Sequence, residues 1–484
     1  MEQGSGWLWL LWILLWKRSS GPMVNAFIPV IHHSSGPVLY AAARFAVHFT
    51  ITPARRTAAA AAAAAGEAPV SAWKTNLRVL QENLMMMEPP GTAHCATKGM
   101  EDAAGPAFTV HGESSGKWSS DLARIEELKT SHPDNLMAKH FDVDYFNTLS
   151  CDDKNGLLQC CRSGIANPDS KMGVYAMQTT DYERFRPFFS SVLADNHGVP
   201  SGAKHVNSWD LKAVDGVPTD GLLDLEKLGA PALSMRVRVG RNLNGFPLPG
   251  GMTHADRVQL EQKLCAAFDK LRAMPEYGGR YHSLTEGHPH KVGINEYERL
   301  VDEHIMFKDM SGDPYLAASG ISGDWPSGRG CYVSEDRGFI IWVGEEDHLR
   351  IMCMEPRGTV LNEVFDRLQV VLKVVESFKG IEFAESPDYG VVTSCPTNLG
   401  TGMRASVHLA LPKLTQGGSD DSRVKAVTKP LALSVRGIGG EHTPIGKDGT
   451  CDISPSKRLC ITEAEIIMAL YSGIRALMSE EQKA

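Results

Sequence analysis

The chain has 484 residues, 43% of them hydrophobic and 22% charged, and carries a formal net charge of −8. That length accommodates two or three domains, and the composition is that of an ordinary globular protein. The acidic balance gives no electrostatic reason to bind nucleic acid, so any basic site must be local.

Ten cysteines, at positions 95, 151, 160, 161, 265, 331, 353, 395, 451 and 460, form no CxxC pair. In a chain this long the pattern argues against a disulfide framework and a zinc site, and for a reducing compartment. Near the N-terminus, Trp7 to Trp16 is an apolar run of ten. It is too short for a bilayer core of about 30 Å at about 1.5 Å per helical residue, so no stable membrane span is expected. From Lys17-Arg18 to Glu67 no acidic residue occurs, whereas Arg44, Arg55, Arg56 and the alanine run 58–65 do. An Arg-bearing, acid-free, Ala-rich stretch reads as a transit-peptide-like segment, with an unstructured extension as the alternative. The expected location is cytoplasmic, or a mitochondrion or other organelle where the extension acts as a targeting signal.

Residues 1–115 show no sustained periodicity and are set apart as an N-terminal extension. Helical signals begin with "DLARIEEL" (121–128) and "NLMAKHFDVDYFNTL" (135–149), whose apolar residues recur three and four apart. Thr180 and Glu183 have capping-box spacing, and Phe185, Phe188, Phe189 and Val192 follow on one helical face. With no strand signal here, 116–199 reads as a small all-helical domain. A Gly-, Pro- and Asp-rich stretch, 200–230, reads as a linker to a larger domain over 231–484. In that domain "ALSMRVRVG" alternates, and "GFIIWV" (338–343) and "YGVVTS" (389–394) are short apolar runs. Between them lie helical patterns opening at Thr253, running from about Val360 to Phe378, and opening at Thr462 with Glu465 as its capping box. The fold class is α+β with a mixed or antiparallel sheet.

The chemistry gathers in four strings. In "SCPTNLGTGMRASVH" (394–408) a lone thiol, Cys395, precedes a Gly-Thr-Gly turn and a strand whose alternation puts Arg404, Ser406 and His408 on one face. "SMRVRVG" likewise points Arg236 and Arg238 the same way. Two like charges on one strand face repel unless an anion lies between them, as a polyphosphate would; a solvated strand edge is the alternative. "GEEDHLR" (344–350) clusters the pair Glu345 and Glu346 with a histidine and Arg350 at a strand end, which a surface ion-pair turn would also explain. "SVRGIGGEHT" (434–443) carries Arg436 into a glycine-rich loop with Glu441. Together, five arginines, two glutamates and a thiol suit phosphoryl transfer, in which alignment and charge stabilisation dominate.

These strings, in this order and together with "DEHIMFKD" (302–309) and "WPSGRG" (325–330), resemble the phosphagen (guanidino) kinases from about residue 116 to the C-terminus. The resemblance implies a small helical N-terminal domain followed by a larger domain whose antiparallel sheet is flanked by helices. It implies that Arg236, Arg238, Arg350, Arg404 and Arg436 hold the phosphates of ATP or ADP. Ser234, His304, His408, Gly439 and Gly440 would complete that nucleotide site. Glu346 and Glu441 would hold the guanidinium, with Glu346 as the base and Cys395 beside it as a thiolate stabilised by cations. Magnesium would arrive as MgATP, with no protein ligands of its own. The partners implied are the nucleotide and a small guanidino compound, in a monomer or a homodimer.

Glu441 in "GGEHT", the forms "RASVH" and "WPSGRG", and the short loop "SGIANPDSKMGVYA" (163–176) resemble arginine kinases more than creatine kinases. That likeness implies that Ser170, Gly173 and Tyr175 receive the amino-acid end of L-arginine. Lys171 and Met172 replace small residues of that loop. Pro314 falls where arginine kinases have an arginine that ties the loop to the larger domain, which predicts looser closure. "MEPRG" (354–358) replaces a Lys-Gly-Gly form. Creatine or taurocyamine therefore stand as alternative substrates. A kinase for protein arginines and a catalytically inactive nucleotide-binding scaffold are the other readings; the intact acids, thiol and arginines speak against the scaffold.

Overall fold

The structure is a computed structural model that describes residues 116–438 and 443–484. The N-terminal extension, with its transit-like segment, lies outside the described residues. Among the described residues no helix is long and apolar enough to cross a membrane.

The N-terminal lobe is helical: α1 (Ser119–Ser131), α2 (Leu136–His140), α3 (Val143–Thr148), α4 (Cys151–Ala166), α5 (Asp181–Arg184) and α6 (Arg186–His197). The single helix expected over 135–149 is in fact two. Phe141 and Asp142 are extended, and the Asp142 carboxylate accepts the Asp144 and Tyr145 amides to start α3 afresh. Thr180 makes no side-chain cap; the bond that organises this turn comes from Asp181, whose carboxylate accepts the Met177 and Gln178 amides at 2.8 Å. Helix α6 ends at Gly198, where a left-handed backbone (φ 63°) closes it as glycine allows. Phe188, Phe189 and Val192 of its apolar face are buried, as the spacing predicts.

The larger lobe is built on one eight-stranded sheet. Its strands are β1 (Leu233–Arg241), β2 (Gly279–Ser283), β3 (Gly330–Ser334), β4 (Phe339–Val343), β5 (Leu349–Gly358), β8 (Met403–Ala410), β9 (Leu433–Arg436) and β10 (Thr450–Pro455). The two-residue strands β6 (Glu385–Ser386) and β7 (Gly390–Val391) form a separate hairpin. The strand expected over 389–394 therefore shrinks to β7, because the Asn242 and Asp347 side chains take up the 392 carbonyl and the 394 amide. Spatial order in the large sheet is β2-β3-β4-β5-β1-β8-β10-β9, antiparallel at every pairing.

Helices α7 (His254–Arg272), α8 (Ile294–Asp302), α9 (Pro314–Ser319), α10 (Leu361–Glu376), α11 (Ser422–Thr428) and α12 (Glu463–Lys483) complete the lobe. Thr253 opens α7 and Thr462 opens α12, each by a reciprocal capping box. The apolar stripes of α7, α10 and α12 (Leu264 and Phe268, Phe365 and Leu368, Ile466 and Ile474) pack on Val237, Val239, Val407 and Ile453 of the sheet. Each such side chain contributes about 1.5–3 kcal/mol on burial. One sheet face is thereby sealed, and the residues alternating with it face the opposite way.

The lobes also share contacts. Tyr389, Val392 and Leu399 of the larger lobe belong to the same buried cluster as Phe188 and Phe189 of the helical lobe.

Candidate active site

Strand β1 lies between β5 and β8, and its register assembles the basic face. Arg238 stands opposite Arg404, Arg236 opposite Ser406, Ser234 opposite His408, and Gly240 opposite Arg350. Strand β10 places Asp452 opposite both His408 and Arg436. Because Val237, Val239, Ile351 and Val407 turn into the core, the period of two brings Ser234, Arg236, Arg238, Arg350, Arg404, His408 and Arg436 to one face.

Like charge accumulates there. Burial depresses the Arg238 guanidinium well below its ordinary range, and Arg350, Arg236 and Arg404 add to that. Burial also lowers Arg236, with Asp452 opposing and Arg350 reinforcing the effect. Arg404 pairs with Asp452 at 3.1 Å. His408 is lowered by burial and sits in the field of Arg236, Arg404 and His304. His304 itself is exposed and in a left-handed conformation (φ 58°) just beyond α8. The face as a whole is a site for a multiply charged anion.

The acids sit at the edge of this face, in the turn from β4 to β5. Gly344 (φ 71°) makes the turn possible, since a Cβ there would meet the Gly328 carbonyl at 2.5 Å. Arg350 binds Glu345 at 2.7 Å and Glu346 at 3.2 Å, and its guanidinium lies over the Trp342 ring at 5.8 Å. Burial, opposed by Arg350 and reinforced by Glu345 and Asp347, pushes the Glu346 carboxyl up to about 7. A carboxyl so placed exchanges a proton near neutral pH, as a general base must.

Cys395 is held in a backbone segment suspended between the lobes. From the helical lobe, the Tyr182 hydroxyl donates to the Thr393 carbonyl (2.8 Å), the Ala176 amide to the Ser394 carbonyl (2.8 Å), and His197 Nε2 to the Pro396 carbonyl (2.9 Å). From the larger lobe, Asp347 Oδ1 accepts the Ser394 amide at 2.8 Å. Asn398 of the same segment reaches Glu346 Oε2 at 3.4 Å. Burial and the Glu346 charge push the Cys395 thiol up, and Thr397 Oγ1 at 3.0 Å only partly offsets this. The charge that acts on Sγ within the protein is the Glu346 carboxylate, which favours the thiol; the thiolate that the resemblance implies is one with a substrate guanidinium beside it.

The loop of residues 167–175, which follows α4, lies against this segment. Ser170 Oγ accepts the Gly173 amide at 3.0 Å, and Gly173 (φ 68°) fits tightly enough that a Cβ would meet Asn135 and Met137 at 2.8 Å. The Tyr175 phenol is pushed up by burial and then by Cys395 and Glu346, and the next residue, Ala176, donates its amide to the Ser394 carbonyl beside Cys395. Lys171 is exposed. At Pro314, where looser closure is expected, the carbonyl accepts Asn167 Nδ2 at 3.2 Å, and the neighbouring Tyr315 carbonyl accepts Ser163 Oγ at 3.1 Å. Gly439, Gly440 and Glu441 lie outside the described residues.

Sequence reasoning missed Asp452, Asp347, Asn242 and Tyr182, all buried polar groups of the site. Only Asp452 carried a signal, as a carboxylate on a strand facing arginines; the others become visible through contacts distant in sequence.

Profiles of two domains match this chain: the ATP:guanido phosphotransferase N-terminal domain over residues 131–194 and its C-terminal catalytic domain over 259–484. The arginine kinase of Schistocerca americana is 35% identical over 363 residues, which cover 74% of this chain and 96% of that protein. The arginine kinase of Anthopleura japonica is 35% identical over 381 residues, 77% of this chain but 50% of the relative. The substrate-free duplicated taurocyamine kinase from Schistosoma mansoni superposes with a TM-score of 0.63 at 31% identity, over 77% of this chain and 49% of that one. This chain thus spans about half the length of the last two proteins and nearly all of the first. The chain belongs to the ATP:guanido phosphotransferase family.

Proposed function

We propose that the protein transfers the γ-phosphoryl group of MgATP reversibly to the guanidino group of L-arginine, giving phosphoarginine. The observation that carries this reading is that the loop before Ala176 bonds to the Cys395 segment at Ser394, while Asn398 of that segment reaches Glu346, beside the arginine face. Arg236, Arg238, Arg350, Arg404 and Arg436 spread positive charge along the phosphates and over the transferring group. Ser234, His304, His408, Gly439 and Gly440 serve the nucleoside and backbone contacts. Magnesium, arriving with the nucleotide, neutralises phosphate oxygens.

The acceptor is a protonated, planar group with a pKa above about 12, a poor nucleophile until it is aimed and loses a proton. Glu346 and Glu441 match the two edges of that fork, and Glu346, held near neutrality, takes the proton as the N–P bond forms. An arriving guanidinium places a cation beside Cys395, the condition under which its thiolate is favoured. Ser170, Gly173 and Tyr175 hold the far end of the substrate.

Arginine is supported by the short substrate loop and by the names of the relatives above. Lys171 within that loop and the likeness to a taurocyamine kinase support a second reading, in which the tail is anionic. A coupled ATPase assay against arginine, taurocyamine, creatine and glycocyamine decides between them. Turnover of arginine is expected to be fastest; turnover of taurocyamine with none of arginine would transfer the assignment.

A further inference from the structure

Asn242, just beyond β1, is buried and touches no residue of the basic face, yet its amide is fully used. Nδ2 donates to Asp347 Oδ1 at 2.7 Å and to the Val392 carbonyl at 3.1 Å; Oδ1 accepts the His348 amide at 2.8 Å. Its backbone carbonyl accepts the Ala384 amide at 2.8 Å. Asp347 Oδ1 in turn holds the Ser394 amide at 2.8 Å, while Oδ2 has no hydrogen-bond partner among the described residues. Gly240 leaves the space for that carboxylate, since a Cβ there would lie 2.6 Å from Oδ2. His348, also buried, closes the frame: Nδ1 accepts the Leu243 amide at 3.0 Å and Nε2 donates to the Pro247 carbonyl at 2.8 Å.

Glu346 is the residue before Asp347, and Cys395 is the residue after Ser394. One asparagine side chain therefore ties the turn that carries the acid to the segment that carries the thiol. Both are irregular backbone, and no ladder of strand hydrogen bonds fixes their spacing. We propose that Asn242 is a positioning residue that sets the separation of Glu346 and Cys395 through Asp347 and the backbone at 348 and 392. It touches neither substrate, so its effect is on alignment. The inference rests on guanidino phosphoryl transfer but not on arginine as the acceptor.

The test is Asn242→Ala, assayed with whichever of the four guanidino compounds the wild-type enzyme phosphorylates fastest. Displacements on the order of 1 Å at a catalytic group cost up to about a hundredfold in rate. The expected result is a fall in kcat of about tenfold to a hundredfold with the nucleotide KM within about twofold of wild type. Alkylation of Cys395 by iodoacetamide, followed by peptide mass, is expected to be several-fold faster, because the segment loses the Val392 tie and the support of Asp347. This second readout needs no turnover, so it judges Asn242 even where the substrate assignment fails. Should the alanine variant not fold, Asn242→Asp sets two carboxylates against each other, and the exchange Asn242→Asp with Asp347→Asn restores a donor to an acceptor. Recovery of at least several-fold in kcat on adding the second change is expected. A kcat within twofold of wild type for Asn242→Ala, unchanged Cys395 alkylation, or an exchange variant no better than Asn242→Asp would each overturn the proposal.

Discussion

The Tyr315 hydroxyl donates to Asp169 Oδ2 at 2.7 Å, joining α9 of the larger lobe to the substrate loop of the helical lobe. It stands beside Pro314, the position from which looser closure was expected. The phenol and the carboxylate form a tie between the loop and the larger lobe one residue further on. The bond is exposed, so its effect is modest. Tyr315→Phe should therefore raise the KM for the guanidino substrate by about twofold to tenfold, with kcat less affected. Steady-state kinetics at saturating MgATP would show it; an unchanged KM would mean that the bond contributes nothing to closure.

Glu346→Gln keeps the shape of the side chain and its bond to Arg350 while removing the base. Turnover should fall by about a hundredfold to ten-thousandfold. ADP affinity, measured by calorimetry, should stay within about threefold, because the basic face is untouched. A large loss of ADP binding instead would place Glu346 in the nucleotide site and remove it from proton transfer.

Proton uptake by Glu346 also sets a pH dependence. The base works only when ionised, and its carboxyl is raised to about 7, so kcat/KM should fall as pH drops through that value. Glu345 is one of the charges that raise it. Glu345→Gln removes a neighbouring anion and leaves Arg350 nearer to Glu346 alone, and both changes favour the ionised form. The acid limb of the profile should move to lower pH. A limb that stays in place would show that the titrating group is not Glu346.

The parts of the fold that were legible in the sequence are those in which one element states its own case. The capping boxes at Thr253 and Thr462 and the alternation of "SMRVRVG" and "RASVHLAL" each lie within a single helix or strand. The split of α2 from α3 at Asp142 was hidden because the apolar period runs through it, and only a side-chain cap reveals the break. The fate of 389–394 was hidden for a different reason. Its hydrogen bonds go to Asn242, Asp347, Tyr182 and Ala176, partners that no local pattern names. The setting of the Cys395 thiol was hidden in the same way: arginines nearby in sequence suggest cations around it, whereas the fold sets Glu346 against it.

Arg238 links the energetics of the basic face to binding. It is held among Arg236, Arg350 and Arg404, and burial together with these like charges depresses it strongly. Without an anion, that arrangement costs stability. Arg238→Met keeps an unbranched chain of similar reach and removes the charge, so the nucleotide-free protein should melt at or above the wild-type temperature. In the same variant ADP should bind about tenfold or more weakly, since one charge-assisted contact of about 1.5–3 kcal/mol is gone. A ligand at about a hundred times its Kd stabilises the folded state by about 2.7 kcal/mol. At the ADP concentration that gives wild type this rise, the variant should show a clearly smaller one. Thermal melts of both proteins with and without ADP make the comparison. Opposite signs, firmer alone and less responsive to nucleotide, are expected; a variant that melts lower yet keeps the full ADP shift would make Arg238 a structural residue and not a phosphate ligand.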